Sequence, residues 1–88
     1  MLYIRRVSGN SMSPYIKNGQ LVIFVKKNID VGDVVLAVQQ NIEVVKRVAK
    51  IDGQKIWLQG DNSLESTDSR ELGPVLRTQI KSKLVWPK

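Results

Sequence analysis

The chain has no cysteine and no histidine. Disulfides, thiol nucleophiles, zinc held by cysteine or histidine, and every hydrolytic triad built on an imidazole base are therefore excluded. Catalysis in this chain must run on hydroxyls, carboxylates and amines. Long apolar runs are missing too: the longest, Leu21 to Val25 and Val34 to Val38, fall far short of the roughly 20 residues of a membrane-spanning helix. Arg5 and Arg6 interrupt the apolar stretch near the N-terminus, so the expectation is a soluble chain without a cleavable signal. The absence of cysteine is compatible with either redox compartment.

Acidic residues are few. Fourteen Lys+Arg face eight Asp+Glu, a formal charge of +6, which brings nucleic acid, anionic lipid and acidic partners into consideration. Aromatic residues are also scarce, with two Trp, two Tyr and one Phe. The basic residues are scattered from Arg5 to Lys88 rather than clustered around stacking platforms, which weighs against single-stranded nucleic acid as the partner. With 42% apolar and 25% charged residues the chain is ordinary globular protein, and its 88 residues suit one domain spanning 1–88.

The apolar residues fall in short β-branched runs separated by turn chemistry, which predicts a mostly β fold. Strands are expected at Leu2 to Val7, Leu21 to Lys26, Val34 to Gln39, Ile42 to Ile51, Lys55 to Gln59 and Ile80 to Val85. Lys17-Asn18-Gly19-Gln20, Asp30-Val31-Gly32-Asp33, Gln40-Asn41 and Asp52-Gly53 supply tight turns, which favour antiparallel neighbours. Met12 to Ile16 can form one helical turn, with Ser13 as cap and Pro14 in the first turn. Gly60 to Val75 is polar, lacks periodicity and reads as a long, site-building loop.

A hydrolase without histidine or cysteine needs a hydroxyl nucleophile and an amine base. Ser8-Gly9-Asn10-Ser11-Met12-Ser13-Pro14 places Ser11 between a strand end and a proline-fixed turn, where following N–H groups can meet an oxyanion. Ser11 is the candidate nucleophile. In the strand Ile42-Glu43-Val44-Val45-Lys46-Arg47-Val48, side chains alternate between faces, so Lys46 shares a row with Ile42, Val44 and Val48. A free lysine titrates near 10.4, and only desolvation brings it toward neutral pH. Lys46 is thus either a base activated by its apolar flank or a lysine snorkelling at a sheet edge. Asp68 and Arg70 can pair, with Ser66 and Ser69 beside them; alone, such a pair is more often structural. Trp57 and Trp86 are expected in core or rim packing, Met12 on the floor of the site, and Asp61-Asn62 in a turn.

Together these residues resemble the type I signal peptidase family of serine–lysine endopeptidases. Ser8-Gly9-Asn10-Ser11-Met12-Ser13-Pro14 is similar to its Ser-Gly-x-Ser-Met-x-Pro box, and Asp30-Val31-Gly32-Asp33-Val34-Val35 to its x-x-Gly-Asp-Val-Val box. Val45-Lys46-Arg47-Val48 resembles the box carrying the base; Gly60-Asp61-Asn62, Ser66-Thr67-Asp68-Ser69-Arg70 and Gly73-Pro74-Val75 resemble the Gly-Asp-Asn box. The resemblance implies Ser11 as acylating nucleophile and Lys46 as general base. It implies an oxyanion held by the Ser11 N–H and the Ser8 hydroxyl, Ser66 orienting the Lys46 amine, and a supporting Asp68–Arg70 salt bridge.

It further implies a small antiparallel sheet-and-barrel core with one or two helical turns, no cofactor and no metal. The implied substrate is an extended peptide or precursor protein with small residues before the cleavage point. Full signal peptidases add membrane anchors and often a β insertion where this chain has only Ala49 to Gln59, and Ser63 stands where the family usually has arginine. The short form looks most like the soluble nickel-type superoxide dismutase maturation peptidases. That form implies a cytoplasmic location, a trimmed signal peptidase a membrane-associated one, and the positive surface could rest on anionic membrane. The alternative is a small basic β-barrel that binds nucleic acid without catalysis.

Overall fold

The computed structural model describes residues 1–62 and 72–87. Seven strands form one antiparallel sheet: β1 (Leu2–Arg6), β2 (Leu21–Val25), β3 (Val34–Gln39), β4 (Ile42–Asp52), β5 (Lys55–Gln59), β6 (Val75–Leu76) and β7 (Ile80–Trp86). Their order across the sheet is β1-β2-β7-β3-β4-β5-β6. The mostly β antiparallel expectation is met, and all six expected strands are present. β6 was not expected; its two residues emerge from the polar stretch read as loop and pair with Lys55 and Ile56.

Turn chemistry sets the register that matters for the site. Gln40 and Asn41 both have positive φ, 52° and 63°, as a two-residue hairpin turn matched to strand twist requires. That turn pairs Gln39 with Ile42 and, four residues on, Val35 with Lys46. A slip of one residue would move Lys46 to the other face.

β3 is buried on both faces, because the sheet packs against itself. Val34 and Leu36 join one core cluster with Val7, Met12, Ile16, Val22 and Phe24. Val35 and Ala37 join a second with Ile29, Val48, Ile56, Leu58 and Val75. Burying a side chain such as Phe24 or Ile56 contributes about 1.5–3 kcal/mol each.

The sheet is strongly curled. β2, β7 and β3 lie between β1 and β4, so a flat sheet would set β1 and β4 about 19 Å apart, four spacings of about 4.8 Å. Yet Arg5 of β1 donates to Glu43 of β4 at 2.6 Å. Register shifts at Ile23/Phe24, Leu36/Ala37 and Val48/Lys50 supply the extra twist. The curl brings two strand edges face to face.

Residues 11–16 form turns, including a cis Ser13–Pro14 peptide; the Ile16 N–H donates to the Met12 carbonyl at 2.9 Å, which closes the single turn expected at Met12 to Ile16. A single 3₁₀ turn at Arg77–Gln79 leads into β7. Trp86, at the end of β7, is 54% exposed and so lies outside the core, whereas half-buried Trp57 packs under the Lys50 ammonium at 4.8 Å. No helix among the described residues is long and apolar enough to cross a membrane.

Candidate active site

A cleft of about 410 Å³ opens between the end of β1 and the first half of β4. Arg5, Arg6, Val7, Ser8 and Ser11 border it on one side, and Leu36 with Ile42 to Lys46 on the other. Its size is that of a ligand site rather than a packing defect. Ser8, Ser11 and Lys46 are therefore brought to one cleft. Met12 is not on its border: at 1% exposure it anchors the Ser11 loop in the first core cluster, a correction to its expected place on the floor. Ser66, Asp68 and Arg70 lie outside the described residues.

The loop carrying Ser11 is held at several points. The Val7 N–H donates to Gln20 at 2.9 Å and the Gly19 N–H to Val7 at 2.7 Å, which extends the β1–β2 ladder to the base of the loop. The Gly9 N–H donates to Asn18 Oδ1 at 2.9 Å, with Gly9 at φ 91°, where a side chain would be strained. Ile16 is fully buried one turn after Ser11. Ser11 therefore sits between a clamped glycine and two buried anchors, so its half-buried side chain is presented from a fixed backbone.

Lys46 is 5% exposed, opposite the fully buried Val35. Its strand is locked just beyond it: the Gly32 N–H donates to the Val48 carbonyl at 2.9 Å, and the Val48 N–H to the Asp33 carbonyl at 2.8 Å. This is what the Gly-Asp-Val-Val segment does physically. It extends the β3–β4 ladder and fixes the height of Lys46 in the wall.

Arg47 is the residue that sequence reasoning missed. Its Nε and Nη2 donate to the two Asp61 carboxylate oxygens at 2.8 and 2.7 Å, and its Nη1 donates to the Gly32 carbonyl at 2.7 Å. The guanidinium also lies 4.8 Å from the centre of the Tyr15 ring. The Asp61 hydrogen bond raises the arginine's affinity for its proton, against the opposing effect of burial. Next to Asp61, the Asn62 N–H donates to the Ser11 carbonyl at 2.8 Å. Asp61 and Asn62, expected only to shape a turn, thus tie the Gly-Asp-Asn segment to both the lysine strand and the serine loop.

Residues 1–80 match the Peptidase S24-like family. The chain belongs to the Peptidase S24-like family. A comparison with curated proteins finds no match. Membership supports protease activity in general, and this peptidase fold presents Ser8, Ser11 and Lys46 on one cleft. Among the described residues of this S24-like chain, no group of His, Cys, Asp or Glu could hold a metal ion.

The far end of the cleft of this S24-like chain carries an ion cluster. Glu43 accepts from Arg5 Nε at 2.6 Å, from Arg5 Nη2 at 3.3 Å and from Lys81 Nζ at 3.2 Å. The Arg5 hydrogen bond holds the Glu43 carboxyl below the ordinary glutamate range; burial opposes it, and Lys81 adds in the same direction. A carboxylate whose folded value is depressed contributes stability that is complete above its unfolded value, about 4.3, and lost as pH falls through the folded value. Glu43→Gln should therefore flatten the acid side of the Tm-against-pH curve below about pH 5. Identical acid limbs for the variant and the parent would show that the cluster carries no such linkage.

Proposed function

We propose that the chain is a serine endopeptidase of signal-peptidase type, with Ser11 as nucleophile and Lys46 as general base. The observation that carries this reading is the cleft shared by Ser8, Ser11 and the buried Lys46. Removal from water penalises an ammonium, so a buried wall is where a lysine can act as a base near neutral pH.

The Ser11 Oγ attacks the scissile carbonyl carbon as Lys46 Nζ takes its proton. The oxyanion is received by the Ser11 N–H and the Ser8 hydroxyl. Collapse breaks the C–N bond, the departing amine takes the proton from Lys46, and the acyl group stays on Ser11 as an ester. Water then attacks that ester with Lys46 again accepting the proton. The C–O bond to Ser11 breaks, Lys46 gives its proton to the Ser11 Oγ, and the carboxylic acid leaves with the serine restored.

The substrate is an extended peptide, such as the N-terminal signal or propeptide of a precursor. Two sheet edges support this. β1 ends the strand order, and β5 pairs with β4 only from Arg47 onward, so Ile42 to Val45 have no outer strand partner among the described residues. Both edges border the cleft. A peptide laid between them gains main-chain hydrogen bonds by strand addition. Within this class we read the chain as similar in form to the nickel-type superoxide dismutase maturation peptidases.

The test is to incubate the purified chain with a nickel superoxide dismutase precursor and with a signal-peptide substrate, and to identify products by mass spectrometry. One internal cut after a small residue is the expected result. Intact substrates, together with oligonucleotide binding that falls steeply with salt, would replace the peptidase with a basic β-barrel binding module.

A further inference from the structure

A second, smaller cleft of about 190 Å³ lies beyond the end of β2, against the 3₁₀ turn and the start of β7. Lys26, Lys27, Arg77 and Lys81 border it, and no carboxylate does. Ile29 and Ile80 close it on the side of the second core cluster. Lys26, Lys27 and Arg77 have no acid partner among the described residues and produce a field that attracts an anion, and the walls of the cleft concentrate it; the Lys81 charge is balanced by Glu43.

The donors there are differently engaged. Lys26 and Lys27 have no hydrogen-bond or ion-pair partner for their ammonium groups among the described residues. Arg77 donates from Nε and Nη2 to the Gly53 carbonyl at 3.3 and 3.1 Å, which fixes the guanidinium plane and leaves Nη1 outside both bonds. Lys81 is shared with Glu43 at 3.2 Å.

The independent observation is Ser82. It borders the same cleft, is 2% exposed, and its Oγ is buried with no hydrogen-bond partner. A hydroxyl left unbonded in the interior costs about 1–3 kcal/mol, so native chains rarely keep one without a use for it. Next to Lys26, Lys27 and Arg77, its natural complement is a small ligand rich in acceptor oxygens.

We propose that this cleft is a binding site for a phosphate group, carried either by a soluble phosphomonoester or by a lipid headgroup. A phosphate offers several oxygens to a converging set of ammonium, guanidinium and hydroxyl donors, and charge-assisted bonds of that kind are the strong ones. The opening is large enough for the group and too small for a folded partner. The site shares no lining residue with the peptidase cleft and does not depend on its chemistry, the one link between them being the Lys81 bond to Glu43.

The experiment is a titration of the ¹⁵N-labelled chain with inorganic phosphate at constant ionic strength, followed by amide shifts. Saturable shifts confined to Lys26 to Ile29, Arg77 and Ile80 to Ser82 are expected. Lys26→Gln/Lys27→Gln, which removes no fold contact, should weaken binding about tenfold or more, while Lys17→Gln should leave it unchanged. Ser82→Ala should weaken phosphate binding and leave the fold intact. Vesicles of phosphatidylcholine with and without phosphatidic acid distinguish the sources: retention by phosphatidic acid that is lost in the double variant assigns a lipid phosphate. Phosphate binding without retention assigns a soluble one. Shifts that never saturate, that spread over all basic residues, or that survive in the double variant would overturn the proposal.

Discussion

Ser11→Ala should abolish cleavage of the precursor, with the rate falling toward that of the peptide alone, on the order of 10⁶-fold where nucleophile and base act as a unit. Lys46→Met should cost at least about 10³-fold, the upper range for removing a general base. Methionine suits the second change because Lys46 is 5% exposed against Val35, and a thioether of similar length fills that space without a charge. Lys46→Arg should be as inactive as Lys46→Met, since a guanidinium does not surrender its proton under these conditions. The double variant should be no worse than Ser11→Ala alone, because each step requires both groups. Product formation in single-turnover assays, with binding of uncut substrate measured separately, reads these outcomes. Full turnover by either single variant would end the dyad.

Much of this site is visible in the residues before any fold is known, and the reasons are local. Alternation along Ile42 to Val48 places Lys46 in the apolar row, and the Gln40-Asn41 turn, whose positive φ values make the hairpin, keeps it there. Ser11 stands out because it sits among Gly, Asn and Pro immediately after a strand. What pattern reading does not reach is anything set by the curl of the sheet. Contact between Arg5 and Glu43 joins strands that the order places four positions apart, and no local periodicity encodes it. β6 is too short to show alternation and exists because Lys55 and Ile56 offer it an edge. Met12 reads as a cleft residue from its place beside Ser11, yet burial in the first core cluster decides its position.

Arg47 is the most informative of these misses, and its replacement carries the second large effect. The same alternation that turns Lys46 into the wall turns Arg47 to the opposite face, with Glu43 and Val45, where an arginine reads as an ordinary solvated residue. Its partners come from three separate segments: Tyr15, Gly32 and Asp61. The available signal is the acid of the Gly-Asp-Asn segment, which needs a counter-ion, with an invariably charged residue directly following the candidate base. Arg47→Gln removes the bidentate pair to Asp61 and the bond to the Gly32 carbonyl together. With side chains 32% and 22% exposed, the pair falls between a surface ion pair, worth up to about 1 kcal/mol, and a buried one, whose breakage costs about 3–5 kcal/mol. A loss of about 1–3 kcal/mol in urea unfolding is the expected result. Arg47→Lys should recover only part of it, because an ammonium cannot reproduce the fork.

Activity should fall further than stability alone explains. Asp61 precedes Asn62, whose N–H holds the Ser11 carbonyl at 2.8 Å, so loosening Asp61 lets the nucleophile loop drift. A misplacement of about 1 Å at a reacting group can cost about 10²-fold in rate. That loss should appear in kcat, with KM little changed, because the strand edges flanking the cleft remain. Asp61→Asn should reproduce it, and adding Arg47→Gln to Asp61→Asn should cost little more, the signature of two residues acting through one contact. Additive losses, or a defect confined to KM, would mean that Arg47 supports the fold without positioning Ser11.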